Sequence, residues 1–243
     1  MKAKHANTRA ARMQRGFTLV EVLVALLIGL FLLGGLSTVV FDNRRTFGTQ
    51  ALLAQLQDAE RLSMTMMGDI VQLAGYFPSP TLNTANSVLL AGGGMTAGQP
   101  MTGTYSAAPP GDTITSRYAT NSGDGILNCT GTSNTSGAVA TYVNTFSVVN
   151  SQLVCTLNGT QYPLVSGVTN LSVLYGVNTT GSGNNVDTYM NAAQVTAAAD
   201  WNSVISVRLS LSFTNPIFGT TGTGEQATIV FQRVVGVMSK TGI

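Results

Sequence analysis

From Phe17 to Phe41 the chain is apolar with a single charge, Glu21, and beyond Asp42 the pattern narrows to a one-sided stripe. The first run is long enough for a helix to cross a bilayer. It exceeds the apolar region of an ordinary secretory signal and lacks a small-residue cleavage site after it. In the second run Leu52, Ala59, Met66 and Leu73 recur at heptad spacing, with Leu56, Ser63, Ile70 and Phe77 on the interleaved positions. Ser63 is the polar member of that stripe, and Gln55, Gln57, Asp58, Glu60, Arg61 and Asp69 supply a solvated face. No proline interrupts before Pro78. The two runs therefore predict one helix from about Phe17 to about Leu73, about 85 Å long at its standard rise. Its second half is expected to pack one stripe on a domain; the alternative, a free coiled coil, would ordinarily need a longer repeat.

Gly75 and Pro78 end the helix, and a loop rich in Gly, Pro and Thr runs to about Gly111. Strand signals follow at Asp112 to Tyr118, Tyr142 to Val149, Gln152 to Leu157, Val168 to Gly176, Val204 to Phe213 and Ala227 to Val235, each rich in β-branched or aromatic residues. In Val204 to Phe213, Ile205, Val207, Leu209, Leu211 and Phe213 alternate with Ser206, Arg208, Ser210 and Ser212, so one face is buried and the other wet. Asn150-Ser151 predicts a tight hairpin, and Tyr189 to Ala199 a short helix before Trp201. The expected class is α+β: a long N-terminal helix, membrane-spanning in its first half, packed on an antiparallel β-sheet domain. The expected divisions are a basic leader (1–16), a membrane and assembly helix (17–41), its amphipathic continuation (42–76) and a β-rich exported domain (77–243).

Charge sharpens this picture. Only 9% of the 243 residues are charged, and Lys2, Lys4, Arg9, Arg12 and Arg15 all precede the apolar run. Arg44 and Arg45 follow it beside Asp42, so the bias of basic residues places the N-terminus in the cytoplasm and exports the rest. Without the leader the chain is mildly acidic and its basic residues are scattered, which leaves no stripe for nucleic-acid phosphates. Cys129 and Cys155 both lie in the exported half, where oxidation to a disulfide is expected. Two free buried thiols are the alternative.

Arg15-Gly16-Phe17-Thr18-Leu19-Val20-Glu21 resembles the processing site of type IV prepilins and type II secretion pseudopilins: a basic leader, Gly before Phe, Glu at the fifth mature position, then an apolar run. The resemblance implies that prepilin peptidase cuts after Gly16, that Phe17 becomes the methylated N-terminus, and that Glu21 is the assembly carboxylate. Physics supports the last role. A lone carboxylate inside a membrane helix costs about 2.5–3.5 kcal/mol, and the amine freed at Phe17 of a neighbouring subunit could neutralise it. The alternative is that Glu21 snorkels to the cytoplasmic interface.

The exported half resembles the PilW family of minor pilins. The stretches concerned are Asp112 to Tyr118, Val165 to Val177 and Trp201 to Leu209, within a similarity that covers most of the chain. It implies a low-abundance pilus subunit acting in assembly or initiation, as part of a priming or tip complex, and supporting twitching motility, adhesion or DNA uptake. Its implied partners are prepilin peptidase, other minor and major pilins, a tip adhesin and the inner membrane. A minor pseudopilin of a type II secretion system is the nearest rival, and a membrane-anchored adhesin or DNA-binding module is a more distant one. Several relatives carry an Asp-rich run after the Tyr-Gly pair. Here Asn178 to Asp187 replaces those acids with Asn, Thr and Ser, and Tyr189 stands where a calcium loop would place Glu, so a solvated turn is expected.

Catalytic chemistry finds little material. The one histidine, His5, lies in the leader, so a processed chain has no imidazole base. Gly92 to Gly94 and Gly219 to Gly224 lack a following Lys for phosphate binding. A structural, non-enzymatic chain without cofactor or metal is expected.

Overall fold

The computed structural model describes residues 16–181, 185–219 and 225–241. The leader through Arg15, Ser182 to Asn184 and residues 220–224 lie outside them, and with them the leader's basic residues and part of the Asn178 to Asp187 turn. The chain divides into two units, 1–51 and 52–243. Helix α1, Leu19–Gln72, begins in the first and ends in the second.

From Leu19 to Phe41 α1 carries one charge, Glu21, and is otherwise apolar around most of its circumference, with its large side chains exposed, Leu30 at 73% and Phe31 at 75%. A helix suits such an environment because it satisfies its own backbone. The polar side chains do likewise: the Ser37 hydroxyl donates to the Leu33 carbonyl and that of Thr38 to Gly35, both at 2.8 Å. The helix is long and apolar enough to cross a membrane.

In the second unit the helix buries Leu56, Ser63, Met64, Met67, Gly68, Ile70 and Val71. Leu56, Ser63 and Ile70 of the expected stripe are inside, but Leu52 is exposed and Ala59, Met66, Leu73 and Phe77 are only half-buried. The heptad repeat assumes 3.5 residues per turn, whereas a single helix on a sheet follows 3.6 and drifts about 20° per heptad. The buried face therefore slides from Ala59 and Met66 towards Met67, Val71 and Ala74. The buried Ser63 hydroxyl donates to the Ala59 carbonyl at 2.7 Å. Gly75 ends the helix at φ 78°, where a side chain would strike Pro100 and Ser239.

All six expected strands form, and three more join them. A five-stranded antiparallel sheet has the order β1 (Met101–Thr104), β2 (Thr113–Thr120), β3 (Ala140–Val149), β4 (Gln152–Leu157), β5 (Thr160–Ser166). A four-stranded one runs β7 (Thr188–Met190), β6 (Val168–Val177), β8 (Val204–Thr214), β9 (Thr228–Gly236). The expected antiparallel domain is thus split between two sheets. Asn150 and Ser151 have φ of 50° and 57° in the β3–β4 hairpin, the mirror-image turn that matches strand twist. Asn158-Gly159 makes the same kind of turn into β5. The short helix before Trp201 is Ala192–Ala198, capped by Asn191.

One apolar core joins both sheets to the helix. Ile114, Tyr118, Phe146 and Leu153 come from the first sheet, and Leu171, Tyr175, Leu209, Leu211 and Phe213 from the second. Each such side chain contributes about 1.5–3 kcal/mol. Polar ties complete the packing: the Ser116 hydroxyl donates to the Ile70 carbonyl at 2.9 Å, and Arg233 on β9 donates to the Met64 carbonyl at 3.2 Å.

The disulfide forms between Cys129, in the loop after β2, and Cys155 on β4, both buried. Closing a loop across a separation of 26 residues restricts the unfolded chain by about 3.5 kcal/mol in the chain-entropy treatment. Replacing both cysteines with alanine is expected to lower the unfolding free energy by about that amount. Urea unfolding of the full chain in detergent checks it, and an unchanged midpoint would contradict it.

Candidate functional site

Gly16, Phe17 and Thr18 precede α1, and Glu21 sits in its first turn. Thr18 and Glu21 have the spacing of a capping box; the Thr18 hydroxyl accepts from the Glu21 backbone N–H at 3.3 Å. The helix thus starts just behind the expected cleavage point. All four residues are exposed, and Phe17 is 84% exposed. Among the described residues no hydrogen bond or ion pair engages the Glu21 carboxylate. Chemically, this end of the chain presents an aromatic residue, an anion one turn on, and beyond them an apolar surface without fixed partners.

The β-rich domain holds two polar centres that residue spacing alone did not reveal. Arg117, on β2, is buried, and its guanidinium donates to the carbonyls of Gln99 (2.7 Å), Leu90 and Thr96. Burial lowers its pKa. The Gln99 side chain extends this cage, accepting from the Thr96 N–H and donating to the Met101 carbonyl. The segment read as an open loop from Gly75 to Gly111 is therefore gathered around one cation and contains β1.

Asp112 is the second centre. Its carboxylate accepts from the backbone N–H groups of Ser106 at 2.8 Å and Val173 at 2.7 Å, and its own N–H donates to Leu171. It thereby ties the β1–β2 connection to β6 of the other sheet. Gly111, at φ 94°, lies so close to the Leu171 carbonyl that a side chain would collide with it. Both centres fall in a stretch singled out above, and their engagement is internal.

Cys129 and Cys155 are joined far along the chain from Gly16, Phe17 and Glu21, so the expected residues form no single site. In the Asn178 to Asp187 turn, the Asp187 carboxylate accepts from the N–H groups of Thr179 (2.9 Å) and Thr180 (3.2 Å) and from Asn185 (2.9 Å). No group of His, Cys, Asp or Glu among the described residues could hold a metal ion.

Two family profiles match the chain: the prokaryotic N-terminal methylation motif over residues 11–37, and type IV pilus-assembly protein W over residues 134–233. No curated protein matches it. Among solved structures it is similar to a type IV-like pilin from Thermus thermophilus, at 11% identity and a TM-score of 0.41, covering 75% of this chain and 95% of the other. It is also similar to a chain from a complex of two type 2 secretion pseudopilins of Vibrio vulnificus, at 15% identity and a TM-score of 0.37, covering 77% and 94%. The methylation-motif match thus falls at the start of the long apolar helix. Over residues 134–233 the chain's likeness is to the pilus-assembly protein W family.

The hydrogen bonds on Asp187, the Thr180 N–H foremost, hold its pKa below the ordinary aspartate value. A depressed acid stabilises the turn fully above its unfolded pKa of about 3.9, and that contribution fades as pH falls through the lower folded value. Carboxylate titration by NMR should place the Asp187 midpoint below about 3.9. A midpoint at or above it would contradict the hydrogen-bonded turn.

Proposed function

We propose that this chain is a minor subunit of a type IV pilus, made as a precursor, cut after Gly16 by prepilin peptidase and methylated on Phe17. It enters the inner membrane through residues 17–41 with its N-terminus cytoplasmic and its β-rich domain periplasmic. From there it joins other minor and major pilins in the complex that starts the fibre, where it presents its domain to neighbouring subunits and a tip adhesin. Attachment, twitching and DNA uptake are the processes such a complex would serve.

The observation that carries this reading is the methylation motif and apolar helix in one chain with the protein W match over 134–233. The Glu21 carboxylate supplies the mechanism. In hydrocarbon an unpaired anion costs about 2.5–3.5 kcal/mol. The amine that processing creates at Phe17 of an adjacent subunit offsets that cost through a charge-assisted contact in a low-dielectric setting. Unprocessed chains lack this amine, which makes assembly conditional on cleavage. The same leader chemistry serves secretion pseudopilins, so the cellular process is what separates the two readings.

Glu21→Gln keeps the size of the side chain and removes its charge. The variant is expected to be processed normally while its recovery in sheared fibres falls about tenfold, the equivalent of losing about 1.4 kcal/mol of subunit docking. Deleting the gene should reduce surface pili and twitching and leave extracellular protein secretion intact. Normal piliation with lost secretion would assign the chain to a secretion pseudopilus instead.

A further inference from the structure

The two sheets have four edge strands, and three of them are blunted. β1 has four residues and β7 three. β5 carries Pro163, opposite a register shift between Leu153 and Val154. The fourth edge, β9, runs nine residues from Thr228 to Gly236 without proline, and its register with β8 is unbroken. A long, regular and unprotected edge is a template for a further strand.

The hydrogen-bond phase of β9 is fixed at both ends. The Asn215 N–H donates to the Ala227 carbonyl and the Val237 N–H to the Ile205 carbonyl. Both pairs extend the β8–β9 register, so Ile229, Phe231, Arg233 and Val235 direct their backbone groups to β8. Thr228, Val230, Gln232, Val234 and Gly236 consequently turn theirs to the open edge. The side chains between are consistent with docking there. Val230 and Val234 are exposed, at 53% and 56%. Arg233, the strand's one charge, is not held at that edge: its guanidinium reaches α1, donating to Met64 and lying against Gly68. A strand edge whose outward backbone groups have no partner among the described residues, with two exposed valines, calls for an extended peptide with β-branched or apolar side chains at alternate positions.

We propose that β9 is a docking edge at which an extended segment of another leader-bearing subunit adds a strand to the β7-β6-β8-β9 sheet. That the donor is another such subunit rests on the pilus reading; the capacity of the edge to accept a strand does not. Proline at residue 232 removes one outward N–H and leaves the β8 ladder untouched, while alanine there removes the same side chain and keeps the N–H.

The test is hydrogen exchange of the full chain in detergent, free and in the assemblies it forms with the other leader-bearing subunits of its cell, for the natural sequence, Gln232→Ala and Gln232→Pro. In all three free chains the amides of Ile229, Phe231, Arg233 and Val235 should stay protected, which reports an intact fold. In assemblies of the natural chain and of Gln232→Ala, the amides of Val230, Gln232 (Ala in the variant) and Val234 should slow by about tenfold or more. Recovery of Gln232→Pro in them should fall about tenfold. Equal exchange in free and assembled chains, or equal recovery of the two variants, overturns the proposal. Protection in a self-dimer alone also overturns it, because the donor is then a second copy. Protection against a secretion-system subunit would overturn the pilus reading and support strand addition.

Discussion

The face of α1 from Leu56 to Val71 is the constraint on which the β-rich domain depends, because both sheets join it in one apolar core. Without the helix, Ile114 and Phe146 in one and Leu209, Leu211 and Phe213 in the other would each lose part of the surface that excludes water. The ties at Ile70 and Met64 show how the helix backbone is used as well: Ser116 and Arg233 each donate to a helix carbonyl from a different sheet. The Ser63 hydroxyl likewise meets the Ala59 carbonyl, in keeping with the cost of leaving buried polar groups unmet, whereas the buried Tyr175 hydroxyl has no hydrogen-bond partner among the described residues. Asp112 and Arg117 extend the same logic, holding connections in place through backbone groups rather than through opposite charges.

The first part of the helix obeys a different rule. From Leu19 to Phe41 the side chains are apolar around most of the circumference, the hydroxyls of Ser37 and Thr38 turn back onto the helix, and Glu21 alone carries charge. A lipid solvent or a ring of like helices satisfies that surface. A carboxylate placed there is tolerable when a cation comes to it, and the proposed processing chemistry would create that cation one turn away on a neighbour. Anchoring, maturation and assembly would then use the same short stretch of chain.

Much of this architecture was legible in the amino-acid pattern because each signal had a single dominant cause. The apolar run, the alternation in Val204 to Phe213 and the Asn150-Ser151 turn each reflect one local requirement, and each element formed. The misses have equally specific causes. The heptad reading chose Met66 over Met67 because a 3.5-residue repeat was imposed on a 3.6-residue helix. β5 escaped because Pro163 argues against a strand interior, although Asn158-Gly159 is a strong hairpin signal and an edge tolerates proline. β1 and β7 are too short to show periodicity, and the cage around Arg117 depends on carbonyls distant in sequence. At the candidate site the residue types of the leader carried the information, since Gly16, Phe17 and Glu21 are defined by order along the chain rather than by convergence in space. The β9 edge had to await strand order, which no local pattern encodes.

The most direct test of the central claim is the N-terminal sequence and intact mass of the membrane-extracted chain, from cells with and without prepilin peptidase. The account predicts a chain that begins at methylated Phe17 when the peptidase is present and retains the leader through Gly16 when it is absent. An intact leader in both strains would contradict it and leave an ordinary membrane-anchored protein whose Glu21 has no amine to meet.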